Sequence, residues 1–361
     1  MELAELIGLR PVPGAGLFLT LTRRCPLSCA HCSTSSTTTG EEPRAQDLLR
    51  FVGSFTPADR PEVLMLTGGE PLLLPDLAAR LAASARAAGT RTALLSGMFF
   101  ARGGRVPAPV MRAISAVDHF SASLDVHHER EVPRADVLRA VRHVRDAGIP
   151  VSFHLTGSGP DDPYLADATA QIRREFADRV PMLVNEVRPV GRAAAWAARA
   201  RRPVDPQRAL PCPMAAWPVV AFDGAVLACC NQQTVDRRPA PAHLLLGHAA
   251  EDGWPAVRRR LLSSPVLRMI RTVGPAHLGA RYAGAPAEPD CGYCGTCRGL
   301  AGRPEVLAGA ERDASGPVGV LLEREAVRLQ VEAGPVDVVR RHGSPPYAEL
   351  VALGGPGGGS V

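Results

Sequence analysis

The chain has 361 residues, 46% of them hydrophobic, which supports one large α/β body with an appendage or two to three folding units and excludes a disordered chain. The formal net charge is +5, every basic residue is arginine and only 4% of residues are aromatic; arginines scattered in this way are not the clustered, aromatic-interleaved face of a nucleic-acid binder. No run of about 18 apolar residues exists, so no membrane span is expected. The opening MELAELIGLRPVPGAG lacks the basic-then-apolar order of a secretory signal, so a cytoplasmic location with reduced thiols is expected.

In chain order, residues 17–22 (LFLTLT) read as a strand ending at a first group of cysteines. Residues 61–67 (PEVLMLT) read as a second strand, running into Gly68-Gly69-Glu70. A helix over 75–88 closes at Gly89, and 91–96 (RTALLS) form a third strand. Residues 118–124 form a fourth strand that ends at Asp125, followed by a loop in which His127 and His128 read as solvated. A helix over 134–147 closes at Gly148, 150–156 form a fifth strand, 164–179 a helix and 181–187 a sixth strand. Strand and helix alternating over short connections predict a parallel α/β architecture, wound by right-handed crossovers into a partial or full barrel. Polar groups then gather at the carboxyl ends of the strands, where such folds carry their chemistry.

The alternation stops near residue 200. Pro-rich joints appear, 219–228 (VVAFDGAVLA) read as a hairpin turning at Asp223-Gly224, and 255–273 read as helical. Residues 287–299 hold the last cysteines among glycines, 318–342 read as two strands or a strand and a helix, and the Gly-rich tail reads as disordered. These changes divide the chain into 1–200, 201–305 and 306–361.

Nine cysteines fall in three groups: 25, 29 and 32; 212, 229 and 230; 291, 294 and 297. In a reduced compartment such grouping points to metal rather than disulfides. Cys25, Cys29 and Cys32 on one loop after a strand present three thiolates to one point, which leaves one iron of a four-iron cube without a protein ligand. Zinc is the rival reading. It wants a fourth ligand, and His31 is adjacent to Cys32 and poorly placed to supply it.

RCPLSCAHC resembles the CxxxCxΦC motif of the radical S-adenosylmethionine (SAM) superfamily, with His31 where an aromatic residue often stands, and the resemblance extends over most of residues 15–300. It implies a partial (β/α)6 TIM-like barrel and a [4Fe–4S] cluster on Cys25, Cys29 and Cys32 that cleaves SAM. By the same resemblance the MLTGGEP segment binds the amino end of SAM through Gly68, Gly69 and Glu70, an ammonium wanting acceptors. Ser123 and Asp125 in SASLDVHH are implied near the ribose. Arg192 in PVGRA is implied as a SAM contact, or else as part of a structural ion pair.

CPMAAWPVVAFDGAVLACC followed by CGYCGTC is similar to the SPASM/twitch extension that binds auxiliary iron–sulfur clusters. The resemblance implies one auxiliary [4Fe–4S] on Cys212, Cys229, Cys294 and Cys297, with Cys291 able to replace one of them. A zinc site built from these cysteines is the alternative. Cys230 is left as a buried thiol, an alternative ligand, or a hydrogen-atom donor that quenches a substrate radical. The implied partners are a flavodoxin- or ferredoxin-type electron donor and a natural-product substrate. That substrate is a ribosomally made peptide, with a separate leader-binding protein since only about 16 residues precede the first strand, or a small metabolite such as an aminocyclitol or sugar. A non-catalytic zinc-binding module is the reading from another class.

Overall fold

The computed structural model describes residues 1–197, 208–283 and 292–355. Six strands follow the expected order: β1 (Gly16–Thr20), β2 (Val63–Thr67), β3 (Arg91–Ser96), β4 (His119–Ser123), β5 (Val151–Gly157) and β6 (Met182–Glu186). Each pairs in parallel with the next, in registers such as Leu17↔Leu64, Leu66↔Leu94 and Phe120↔Val151. The result is a mostly parallel α/β sheet, as in a partial barrel. Strands covered on both faces read as nearly unbroken apolar runs, which is why VLMLT and GLFLT were legible.

Alternate side chains divide the core. Leu17, Leu19, Leu64 and Leu66 pack outward on the helices Ala45–Val52 and Pro75–Ala87, through Leu48, Phe51, Ala78 and Leu81. Each such leucine contributes about 2–3 kcal/mol by leaving water. Phe18, Val63, Met65 and Ala93 face a second cluster built from the chain's two ends: Leu3, Leu6 and Ile7 of the helix Leu3–Gly8, Trp217, and Val338, Val339 and Val351. The 306–361 extension thus returns to the sheet, where Ser344 donates its N–H to the Val184 carbonyl of β6.

β7 (Val219–Val220) adds to the other side of β1 in parallel, and β8 (Ala225–Leu227) and β9 (Leu245–His248) continue antiparallel, completing a nine-stranded sheet ordered β6-β5-β4-β3-β2-β1-β7-β8-β9. The hairpin turns at Asp223-Gly224 as expected, with Gly224 at φ +89°.

Two expectations are corrected. Residues 318–342 contain no strand: they lie in one helix, Pro317–His342, broken only at Gly334 (φ +80°) before Pro335. The span 255–273 is helical as expected, in two helices, Trp254–Ser263 and Pro265–Thr272, since Ser264 caps the second by accepting from Leu267 N–H and Pro265 starts it. The last cysteines Cys294 and Cys297 sit on a helix, Gly292–Gly299, rather than a loop. Cys291, the boundary at 200/201 and the end of the Gly-rich tail lie outside the described residues. Among the described residues no helix is long and apolar enough to cross a membrane.

His119 on β4 ties the sheet to the chain start. Its Nδ1 lies 3.0 Å from the Met1 carbonyl oxygen and its Nε2 2.8 Å from the Ser152 hydroxyl, which donates to Ser121 at 3.1 Å. Burial favours the neutral ring and pushes its pKa down to about 4. The unfolded chain takes up the proton near pH 6.5, so the stability held by the neutral ring is present above that value. It is lost as pH falls toward 4, by about 3 kcal/mol at pH 4. The thermal midpoint of the metal-free protein should therefore drop more steeply between pH 6.5 and 4 than that of His119→Gln; parallel slopes would refute this.

Candidate functional site

The first cysteine loop leaves the carboxyl end of β1, beside the carboxyl ends of β2, β3 and β4. Its entrance is locked by the turn after β2. Gly69 N–H donates to the Thr22 carbonyl at 2.5 Å, and Glu70 N–H to the Arg24 carbonyl at 2.8 Å. A Cβ on Gly69 would stand 2.2 Å from the Arg24 carbonyl oxygen, and Gly68 has φ +143°. Both glycines are therefore demanded by backbone laid against backbone.

Its far end is locked by the stretch after β6. Arg192 donates through Nε to the Cys29 carbonyl at 2.9 Å and through Nη1 to the Ser36 carbonyl, while its own N–H reaches the Cys32 carbonyl at 3.0 Å. A Cβ on Gly191 would meet the Cys32 and Ser33 carbonyl oxygens at 2.3 Å. Trp196 donates from Nε1 to the Ala30 carbonyl at 3.0 Å. Arg192, implied as a SAM contact or an ion-pair partner, is thus engaged with the carbonyls of the cysteine loop.

Within the loop, Cys29 is buried and Cys25 and Cys32 half-buried. Leu27 N–H points at Cys25 Sγ (3.4 Å), and Thr34 Oγ1 lies 3.2 Å from Cys32 Sγ. Burial pushes the Cys25 thiol up to about 12, with Glu70 and the two neighbouring cysteines adding to the rise. Burial also works to raise Cys32, but the Thr34 hydroxyl, the Ser36 N–H and the Arg192 charge outweigh it and hold that thiol below its ordinary value. Three thiolates sharing one buried loop repel one another and call for a cation or a positively charged cluster core.

Glu70 is fully buried. Its carboxylate accepts from Leu72 N–H (3.0 Å), Gly97 N–H (2.8 Å) and the Ser96 hydroxyl (3.0 Å), so it joins the ends of β2 and β3. Burial raises its pKa to about 7 against the pull of those donors. Ser123 closes β4, half-buried.

Asp125 caps the short helix Val126–Glu129, accepting from His127 and His128 N–H, and its Oδ2 faces His128 Nδ1 at 2.8 Å and His31 Nε2 at 3.2 Å. His128 is therefore not the solvated side chain expected; it is packed, as an Asp three residues before a His on a helix start permits. Burial opposes charge in this group, but the pairing wins: Asp125 is held far below the carboxylate range and His128 is raised to about 10, with Cys29 adding to the rise. His31 stacks on His127 at 4.7 Å between ring centroids, and the buried Nδ1 atoms of both rings have no partner.

A second constellation forms around the C-terminal cysteines. Cys212 N–H donates to the Ile270 carbonyl, Cys229 and Cys230 follow β8, and Cys294 and Cys297 occupy one helix face three residues apart. Asn231 N–H points at Cys229 Sγ (3.4 Å), as Leu27 does at Cys25. Burial pushes the Cys212 thiol up to about 11, with the charges of Cys294 and Cys230 adding; Cys229 is raised by burial and by Cys230 and Cys212, and Cys297 by burial and by Cys229 and Cys212. All eight cysteines of the described residues are free thiols. Buried polar atoms without partners surround this second set: Arg10 Nη1, Asn231 Oδ1, Arg298 Nη1 and both ring nitrogens of His243, whose burial lowers its pKa to about 4.

Thiolates round a single zinc ion stand about 3.8 Å apart, from Zn–S bonds of about 2.3 Å in a tetrahedron. Among the described residues, neither cysteine set brings three sulfurs within 4.8 Å of one another; His31, Asp125 and His128 do so with their own donor atoms. The donor chemistry of both sets, thiols grouped on short segments, fits an iron–sulfur group.

Residues 19–170 match the family model described as the radical SAM superfamily, a span that runs from β1 into the helix after β5 and includes Cys25, Cys29, Cys32, Gly68–Glu70, Ser123 and Asp125. The chain matches no curated protein. Similar solved structures include Streptococcus suis SuiB bound to S-adenosylmethionine (10% identity, 68% of this chain and 65% of that one, TM-score 0.46). Another is native anSMEcpe with bound AdoMet and the Cp18Cys peptide (11% identity, 82% and 99%, TM-score 0.47). A third is SuiB bound to its precursor peptide SuiA (11% identity, 67% and 63%, TM-score 0.44). The chain spans just under two thirds of the SuiB chain's length.

Proposed function

We propose that the protein is a radical SAM enzyme that cleaves SAM reductively and removes a hydrogen atom from a ribosomally made peptide, leading to cross-linking, epimerisation or oxidation. The observation that carries this reading is the locked three-cysteine loop at the mouth of the sheet, lying inside the span that matches the superfamily model.

Cys25, Cys29 and Cys32 would hold a [4Fe–4S] cluster. When bound, that cluster supplies the electron that splits SAM to methionine and a 5′-deoxyadenosyl radical, the agent of hydrogen abstraction. The protein's own part is orientation and charge. Leu27 N–H and Thr34 stabilise thiolate sulfur, His128 sets a positive charge beside Cys29, and Arg192 fixes the loop that carries the ligands. Asp125 holds His31 and His128 in one polar wall beside the cysteines. Cys212, Cys229, Cys294 and Cys297 would hold one auxiliary [4Fe–4S], with Cys291 able to replace one of them and Cys230 next to Cys229 in the chain. The peptide as substrate rests on the SPASM/twitch resemblance of that cysteine pattern.

Anaerobic reconstitution should load about eight irons per chain. Adding SAM and a low-potential reductant should then yield 5′-deoxyadenosine. Candidate precursor peptides should change in mass or stereochemistry on turnover; modification of aminocyclitols alone would move the substrate to the small-metabolite class. Zinc in place of iron, with no SAM cleavage, would sink the enzyme reading.

A further inference from the structure

Arg10 is a buried cation whose polar neighbours are sulfur. It follows the helix Leu3–Gly8, is 5% exposed, and packs against the paired rings of Trp217 and Phe18, 4.6 Å from the Trp217 centroid and 5.0 Å from that of Phe18. Its Nη2 reaches Met214 Sδ at 3.1 Å and Cys230 Sγ at 3.9 Å, and its Nη1 is buried without a partner. A thioether is a weak acceptor, and an unpaired buried charge costs several kcal/mol. The guanidinium stays protonated, so the fold must place negative charge near it. The acidic groups nearest in influence are Cys230, Cys212 and Cys229. The two adjoining rings add cation–π attraction without neutralising it.

We propose that Arg10 is the built-in counter-cation of the C-terminal cysteine centre and raises the reduction potential of the iron–sulfur group held there. The inference rests on the reading that this centre carries such a group. Reduction adds one negative charge to an assembly of thiolates. A fixed positive charge in a dry site stabilises the more negative state more than the less negative one, so removing it disfavours reduction. Arg10 acts as a positioning charge and takes no part in ligation.

The test uses the full chain with Cys25, Cys29 and Cys32 replaced by alanine, so that iron reports on the C-terminal centre alone. In this background we expect about four irons per chain. In a mediator titration followed by electron paramagnetic resonance, Arg10→Gln should lower the reduction equilibrium constant at least tenfold, which is about 59 mV for one electron. Arg10→Lys should restore most of that difference, which a purely structural role would not produce. Arg10→Met fills the slot against the rings with an uncharged chain and should match Arg10→Gln; it carries the comparison if the glutamine variant does not fold. Equal midpoints in Arg10, Arg10→Lys and Arg10→Met proteins of equal iron content would overturn the inference alone. Absence of iron from the C-terminal centre with Arg10 intact would overturn both the inference and the reading beneath it.

Discussion

Replacing Cys25, Cys29 and Cys32 together by alanine is expected to bring 5′-deoxyadenosine formation down to the background of SAM in buffer, and to halve the iron content from about eight to about four per chain. Both losses follow from the way the loop is built. Its three thiols are its only sulfur ligands, and the hydrogen bonds that shape it run through backbone atoms: Thr22 and Arg24 carbonyls to the Gly69 and Glu70 N–H groups, Cys29 and Ser36 carbonyls to Arg192. Alanine keeps every one of those bonds. The variant should accordingly fold with an unchanged helical spectrum while losing the chemistry. Retained 5′-deoxyadenosine formation in a folded triple variant would refute the assignment. Unchanged iron would place all the metal at the C-terminal cysteines.

Gly69→Ala should act through shape alone and be nearly as damaging. The added methyl would stand 2.2 Å from the Arg24 carbonyl oxygen and 2.6 Å from that of Arg23, and both are backbone atoms that no rotamer can move. Relief requires the β2 turn to back away from the strand leading into Cys25, breaking the Gly69–Thr22 and Glu70–Arg24 bonds. It also drags the Glu70 carboxylate from its frame of three donors, Leu72 N–H, the Ser96 hydroxyl and Gly97 N–H. Each buried donor or acceptor left unmade costs about 1–3 kcal/mol, so a loss of about 3–5 kcal/mol is expected, with poor cluster loading in whatever folds. Chemical denaturation of the metal-free chain checks the first figure, and iron analysis the second. A variant within about 1 kcal/mol of the parent would show that the turn yields more easily than its contacts imply.

Much of the fold was legible because parallel strands covered on both faces write themselves as short apolar runs, and PEVLMLT and RTALLS admit no other reading next to their helices. The C-terminal helix was not. Its Val318, Val320, Val327 and Val331 look like strand residues, and Val318, Leu321, Leu322 and Leu329 remain exposed, so burial did not sort them into a helical stripe. The site divides in the same way. The candidate thiol ligands announce themselves by spacing; the glycines that touch the cysteine loop came from the resemblance of MLTGGEP. The partners that fix charge did not announce themselves. His128 is remote from Cys29 in sequence and looked like part of a polar loop; its place follows only once Asp125 is seen capping the helix that carries it. Arg10, one arginine among many, gains its meaning from a tertiary neighbour more than two hundred residues away. Only the folded chain shows which cation has been stripped of water.

β1 is hydrogen-bonded on one side to the barrel strand β2 and on the other to β7, with Thr20 Oγ1 adding a bond to the Val220 carbonyl at 2.5 Å. The first cysteine loop leaves the end of β1; Cys229 and Cys230 leave the end of the hairpin that β7 opens. The hairpin reverses at Asp223-Gly224, so Cys229 and Cys230 lie toward the amino end of β1 while the first cysteine loop follows its carboxyl end. Charge passing between groups held at the two ends would cross a span set by strand length. Tunnelling falls off exponentially with distance, so the pairing of Phe18 with Val219 and Leu19 with Val220 would help to set its rate.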